Sequence, residues 1–281
     1  MRRSKLAIYG LCSVLALSLF NCKKKTEEKD TETDSVSDNS LATTVSNDMV
    51  SISDEAGKTK SVSSFKTEEN YAILSACATL KFDTLVPSNQ DTITVKFGSA
   101  NCTCADGRTR RGDLIIIYTG KYKDSLTTIT VQPQNYYVND NQVTGSKTIK
   151  NKGHNSSGHL VYDISASLQI SKANNGGVII WNCNRQREWV TGESTLVWYD
   201  DIYWLTGTAN GSSSNGSSFN STITNPLVRN MQPSCRKHFV QGTIVHTPAG
   251  KPDRTLDYGA GACDNDATVT INGTVYPIKL P

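Results

Sequence analysis

The sequence predicts an all-β fold, a large antiparallel meander, behind a disordered N-terminal stalk. Three observations carry that expectation. From about residue 71 onward Thr, Val, Ile and Tyr are abundant, and turn residues recur at short intervals. Within 158–171, Leu160, Tyr162, Ile164, Ala166, Leu168 and Ile170 fall on one face, and Asp163, Ser165, Ser167, Gln169 and Ser171 occupy most of the other. Such a two-residue period means one buried face and one wet face. The joints are short and polar, among them Asp106-Gly107, Asn139-Asp140-Asn141, Asn174-Asn175-Gly176-Gly177, Asn210-Gly211 and Asn272-Gly273. Strands that follow one another through such turns pair antiparallel. An open curved sheet, a sandwich and a partial barrel all satisfy this pattern.

Taken in order, the chain begins with a leader. Arg2, Arg3 and Lys5 give a positive start, and an apolar run follows from Leu6 to Phe20. The run is short for a transmembrane helix, which needs about 20 apolar residues. Leu19-Phe20-Asn21-Cys22 comes next, then a polar burst opening with Lys23-Lys24-Lys25. This stretch resembles a bacterial lipoprotein signal, in a relaxed form found in the Bacteroidota. Phe20 is bulkier, and Asn21 more polar, than the strictest pattern allows. The resemblance implies that residues 1–21 are removed and that the Cys22 thiol receives a diacylglycerol. Further acyl chains such as palmitate would make the anchor lasting. It places the protein in the cell envelope, on the periplasmic or surface side of the outer membrane, with the membrane as its first partner. A cleaved soluble export signal and an uncleaved anchor are the alternatives.

Residues 22–70 read as a flexible stalk. Positions 23 to about 40 are mostly Lys, Thr, Glu, Asp and Ser with no aromatic, too little apolar surface to offset the entropy of ordering. Within 41–56, Leu41, Val45, Met49, Ile52 and Ala56 fall at helical spacing before Gly57, so this piece is either a short helix or more stalk. The β domain covers 71–281. Its candidate strands are 77–83, 92–98, 113–122, 127–138, 142–150, 158–171, 177–191, 201–209, 217–228, 238–247, 254–258, 266–271 and 274–280. Residues 209–217, rich in Ser, Gly and Asn, read as a flexible loop.

Six cysteines follow Cys22, and export favours disulfides among them. Phe97-Gly98-Ser99-Ala100-Asn101-Cys102 resembles Tyr258-Gly259-Ala260-Gly261-Ala262-Cys263, and each has a partner cysteine upstream of a hairpin. A hairpin returns the chain to its start, which predicts Cys77–Cys102 and Cys235–Cys263. Cys104 and Cys183 are left over as a tentative third bridge. The Cys102-Thr103-Cys104 spacing matches none of the usual zinc pairs, so no metal is expected.

The formal charge of +3 belongs to the leader; without Arg2, Arg3 and Lys5, basic and acidic side chains are equal in number. A nucleic-acid partner, which needs a concentrated basic face, is therefore not expected. GxSxG, HExxH, P-loop and Rossmann glycine patterns are missing, and no cofactor is expected. Beyond residue 70 the only glutamates are Glu188 and Glu193, and His154, His159, His238 and His246 show no dyad spacing. Adjacent Asp200 and Asp201 would point to opposite faces of a strand. No catalytic residue is therefore named.

Two clusters could bind a ligand. Trp181, Arg185, Arg187 and Trp189 share one face of 177–191, in the 181–204 stretch that holds every tryptophan. Indoles beside guanidinium groups could stack sugar rings or anionic groups, although the pattern favours sheet core. The basic turn Asp106–Gly112 could hold an anion or be solvated, and Asp264-Asn265-Asp266 is a thin oxygen set for calcium. The Asp106–Gly112 turn, residues 135–141, Arg187-Glu188-Trp189 and the closing stretch 251–273 resemble a family of uncharacterised Bacteroidota lipoproteins across most of 77–281. The resemblance implies an exported, anchored, β-rich protein, and no activity. The expectation is a non-enzymatic binding or structural module, with a glycan or an envelope protein as partner. A glycan-binding surface lipoprotein using the Trp-rich strands 177–204 is second, and a cryptic hydrolase third.

Overall fold

A computed structural model describes residues 29–59, 77–83, 91–195 and 197–280. The expected leader, Cys22 and residues 71–76 lie outside them. Among the described residues one α-helix, α1 (Asp34–Thr59), precedes fourteen strands: β1 (Thr79–Asp83), β2 (Asp91–Lys96), β3 (Cys102–Thr103), β4 (Thr109–Tyr118), β5 (Thr128–Val138), β6 (Asn141–His154), β7 (Leu160–Ser171), β8 (Val178–Thr191), β9 (Ile202–Ser212), β10 (Ser218–Asn230), β11 (Gln241–Pro248), β12 (Arg254–Ala260), β13 (Asp266–Ile271) and β14 (Thr274–Lys279). All fourteen belong to one open, curved antiparallel sheet in which each strand from β4 onward pairs with the next. At the other end β1 pairs with β2 and β2 with β4. The short β3 pairs with Thr109 and Arg110 of β4, continuing the line of β2. The all-β meander read from sequence is therefore present, and of the three closures it is the open curved sheet.

Alternation sets the faces. On β7 the six predicted inward positions are buried, while Ser165, Ser167 and Gln169 are exposed. Mid-strand glycines permit the bending. Gly207 has φ +111°, and a Cβ there would meet the Asn184 carbonyl of the neighbouring strand, so only glycine fits. β9 runs to Ser212, into the segment expected as loop, because Ala209 continues the buried face and the turn falls at 213–217.

The helix fills the hollow of the sheet. Residues 34–40, expected in the stalk, form its first turns. Val36, Ala42, Met49, Ile52 and Ala56 are fully buried, and so, nearly, are Ser35, Asp38, Asn39, Ser40, Thr43, Ser46, Asp48 and Ser53. A helix buried all round is normally apolar all round. α1 is not: the sheet and its turns supply partners for Asp38, Asn39, Thr43, Ser46 and Asp48, while Ser53 bonds back to the Met49 carbonyl and Ser35 to Glu32.

Candidate functional site

The inner face of the sheet carries cations that meet α1. Arg110 on β4 is fully buried and forks between two carboxylates: Nη2 lies 2.6 Å from Asp48 of α1 and 2.6 Å from Asp106. Arg108 adds a 3.0 Å pair with Asp106 and a 3.6 Å approach to Asp48. Burial opposes ionisation of Asp106, yet hydrogen bonds and charge from Arg110 outweigh it and hold the carboxyl well below its usual range. Arg111, on the other face, pairs with Asp140 and Asn101. The basic turn is thus neutralised by carboxylates within the chain.

Farther along the hollow, Lys147 on β6 donates to the Ser46 carbonyl and hydroxyl at 2.7 Å each. Burial pushes its pKa down to about 7. Trp181 Nε1 donates to Asn39 Oδ1 at 2.9 Å and Arg185 to the Thr43 hydroxyl at 3.2 Å. Arg187 stands 3.7 Å from Asp54 and over the rings of Tyr162 and Tyr203. Lys172 reaches Asp38 at 2.7 Å, and Arg254 approaches Glu32 at 3.6 Å.

Trp181, Arg185, Arg187 and Trp189 do share one face, as their spacing predicts. Each is less than a tenth exposed, and partners within the chain cover that face. Trp189 donates to Asp201 at 3.0 Å, and Asp201 also accepts from Tyr203. With α1 seated, none of the four offers a platform to an outside ligand. The exposed indole of the region is Trp204, at 40%.

The two predicted disulfides are formed, Cys77–Cys102 with 5.5 Å and Cys235–Cys263 with 4.4 Å between Cα atoms. The tentative third bridge is not: Cys104 and Cys183 are buried thiols. Cys104 follows β3, which is separated from the β8 of Cys183 by β4, β5, β6 and β7. In the exposed Asp264–Asp266 turn, one Asp264 oxygen accepts the Asp266 amide and one Asp266 oxygen pairs with Lys279. Among the described residues no group of three or more His, Cys, Asp or Glu is placed to hold a metal ion.

Two histidine–glutamate pairs were invisible to spacing. His159 Nδ1 donates to Glu188 at 2.6 Å, and Asn155 donates to the same oxygen at 2.9 Å. The His159 bond, together with its charge and despite desolvation, lowers the Glu188 pKa. His154 lies 2.9 Å from Glu193. Neither imidazole has a hydroxyl or thiol bonded to it among the described residues. Ser221 and His246 are bonded at 2.7 Å, but both are buried, and burial pushes the His246 pKa down to about 4. That pair is sealed from any substrate. No helix among the described residues is long and apolar enough to cross a membrane. Comparison with known protein families, curated proteins and solved structures returned no match.

Proposed function

We propose that this protein is a lipid-anchored module of the cell envelope that binds or scaffolds and does not catalyse, held by acyl chains on Cys22 and related to the Bacteroidota lipoproteins it resembles. One observation carries the non-catalytic part: the concave face of the sheet, where an open sheet of this size would present a cleft, is filled by α1. Arg110, Arg187, Lys147 and Arg185 on that face meet Asp48, Asp54, Ser46 and Thr43 of the helix. The anchor is supported by the order of the N-terminal sequence, a basic start, a short apolar run, Cys22 and a polar spacer.

Growth of a producing strain with an alkyne-tagged fatty acid tests the anchor. The expected result is label on the wild-type chain, none on Cys22→Ser, and loss of that variant from the membrane fraction. An unlabelled wild type that partitions into water would end the proposal. Mass spectrometry of the mature N-terminus separates removal of residues 1–21 from an uncleaved leader.

A further inference from the structure

With the hollow occupied, the convex face is what an outside ligand meets. One strip of it breaks a local rule. Between Glu188 at one end and Lys251 at the other, the outward positions of β8, β9 and β10 are dominated by amides and hydroxyls. Asn182, Asn210 and Asn220 stand side by side in one cross-strand rung, and Asn184, Thr208 and Thr222 in another. Asparagine is depleted in strands, and threonine would keep the same positions wet without that cost. Departures from local propensity concentrate where function requires them.

Both ends of the strip are distinctive. At one end Trp204 stands opposite Glu188 in the β8–β9 register, and Glu188 is held by His159 and Asn155 at 2.6 and 2.9 Å. The carboxylate is therefore fixed beside an accessible indole. At the other end Asn210, Asn220, Thr247 and Lys251 line a depression of about 460 Å³. Trp204 and Asn210 are six residue steps apart on β9, about 20 Å at roughly 3.3 Å per step. Three strands make the strip about 10 Å wide.

We propose that this strip is a docking track for a neutral polysaccharide chain. The Trp204 ring covers the apolar face of one sugar, Glu188 accepts from its hydroxyls, and the asparagine rung exchanges hydrogen bonds with the sugars that follow. The track is uncharged between its ends, which matches an uncharged polymer and gives no purchase to nucleic acid or an acidic glycan. Its length suits a run of linked rings rather than a single one. The proposal rests on the reading of the chain as a binding module.

The test is affinity electrophoresis of the full mature chain in gels cast with soluble neutral polysaccharides (laminarin, mannan, xyloglucan and dextran), with alginate as the acidic comparator. Acrylamide quenching of indole fluorescence is measured alongside. The expected result is retardation by at least one neutral polymer, none by alginate, and protection of one indole from quencher when that polymer is present. Trp204→Ala and the pair Asn210→Asp/Asn220→Asp should each lose at least tenfold in affinity with an unchanged melting temperature. Trp204→Phe should keep part of it. Failure of every neutral polymer, unchanged binding by Trp204→Ala, or stronger binding to alginate would overturn the track. Loss of the track with acyl label still on Cys22 leaves the envelope assignment standing, and the reverse result removes only the anchor.

Discussion

Asp48→Asn is the substitution that asks most directly whether α1 is built into the sheet. Asp48 comes from the helix, and Arg110 and Tyr136 come from β4 and β5; all are buried. Arg108 and Arg110 face Asp48 and Asp106, two charges of each sign, and Arg229 and Arg236 stand within electrostatic range of the same carboxylates. Asparagine keeps the volume and one acceptor but leaves one positive charge unmatched in the interior. Breaking a buried pair by removing one partner costs about 3–5 kcal/mol. The low end applies, since Arg110 keeps Asp106 and Arg108 retains some access to water. At about 2–4 °C per kcal/mol for a domain of this size, the melting temperature should fall by roughly 6–12 °C. Thermal unfolding followed by far-UV circular dichroism at pH 7 measures it, and a cycle with Asp106→Asn should show strong coupling because both carboxylates share one guanidinium. A change below 1 kcal/mol would mean that water, not α1, occupies this end of the hollow. Acid offers a second reading of the cluster. The Asp106 pKa is depressed in the fold, so its contribution is present above the ordinary carboxylate pKa near 3.8 and is lost as pH falls toward the folded value. Asp106→Asn should therefore flatten the acid limb of stability.

Two further outcomes are expected. Lys147 is a buried cation whose pKa falls from about 10.5 to about 7, so between those values the unfolded chain binds more protons and stability rises with pH; Lys147→Met should stabilise by about 1–4 kcal/mol at pH 6 and by less at pH 9, read as urea midpoints, and equal gains at both would contradict the assignment. Non-reducing peptide mapping should give the 77–102 and 235–263 pairs, with Cys104 and Cys183 alkylated only after unfolding; removing either bridge should cost about 3 kcal/mol, and a Cys77–Cys235 peptide would refute the pairing.

What the sequence disclosed follows from how each feature is encoded. Alternation on 158–171 is local and strict, so the faces of β7 were readable. The cysteine pairs were readable because each closes a hairpin, a short-range event with the same aromatic-Gly mark at both ends. The full span of α1 was not. Its apolar stripe, Leu41 to Ala56, gives a helical period, but residues 34–40 hold Ser, Asp and Asn that read as solvated tether. They are buried because Lys172 and Trp181, more than 130 positions away, supply their partners. The histidine–glutamate pairs were hidden for the same reason, separated by 29 and 39 positions. β3 was missed because two residues carry no periodicity. The tryptophan face is legible from its two-residue spacing, but its occupant is a segment whose composition reads as stalk.

The polar character of α1 has a consequence for its placement. A smooth apolar helix in a curved sheet could slide along its axis at small cost, since apolar contacts lack direction. α1 carries polar anchors along most of its length: Asp38, Asn39, Thr43, Ser46, Asp48 and Asp54, meeting β6, β8, the β3–β4 hairpin and the turn after β7. Its 26 residues span about 39 Å, and a slip of one turn is about 5.4 Å. That slip would carry each of these atoms away from its partner at once, leaving buried Lys147 and Arg185 without the helix oxygens they donate to. Replacing the whole set by apolar residues would therefore keep the burial and lose the register. The charges inside this sheet are better understood as fixing where the helix sits than as adding to how tightly it is held.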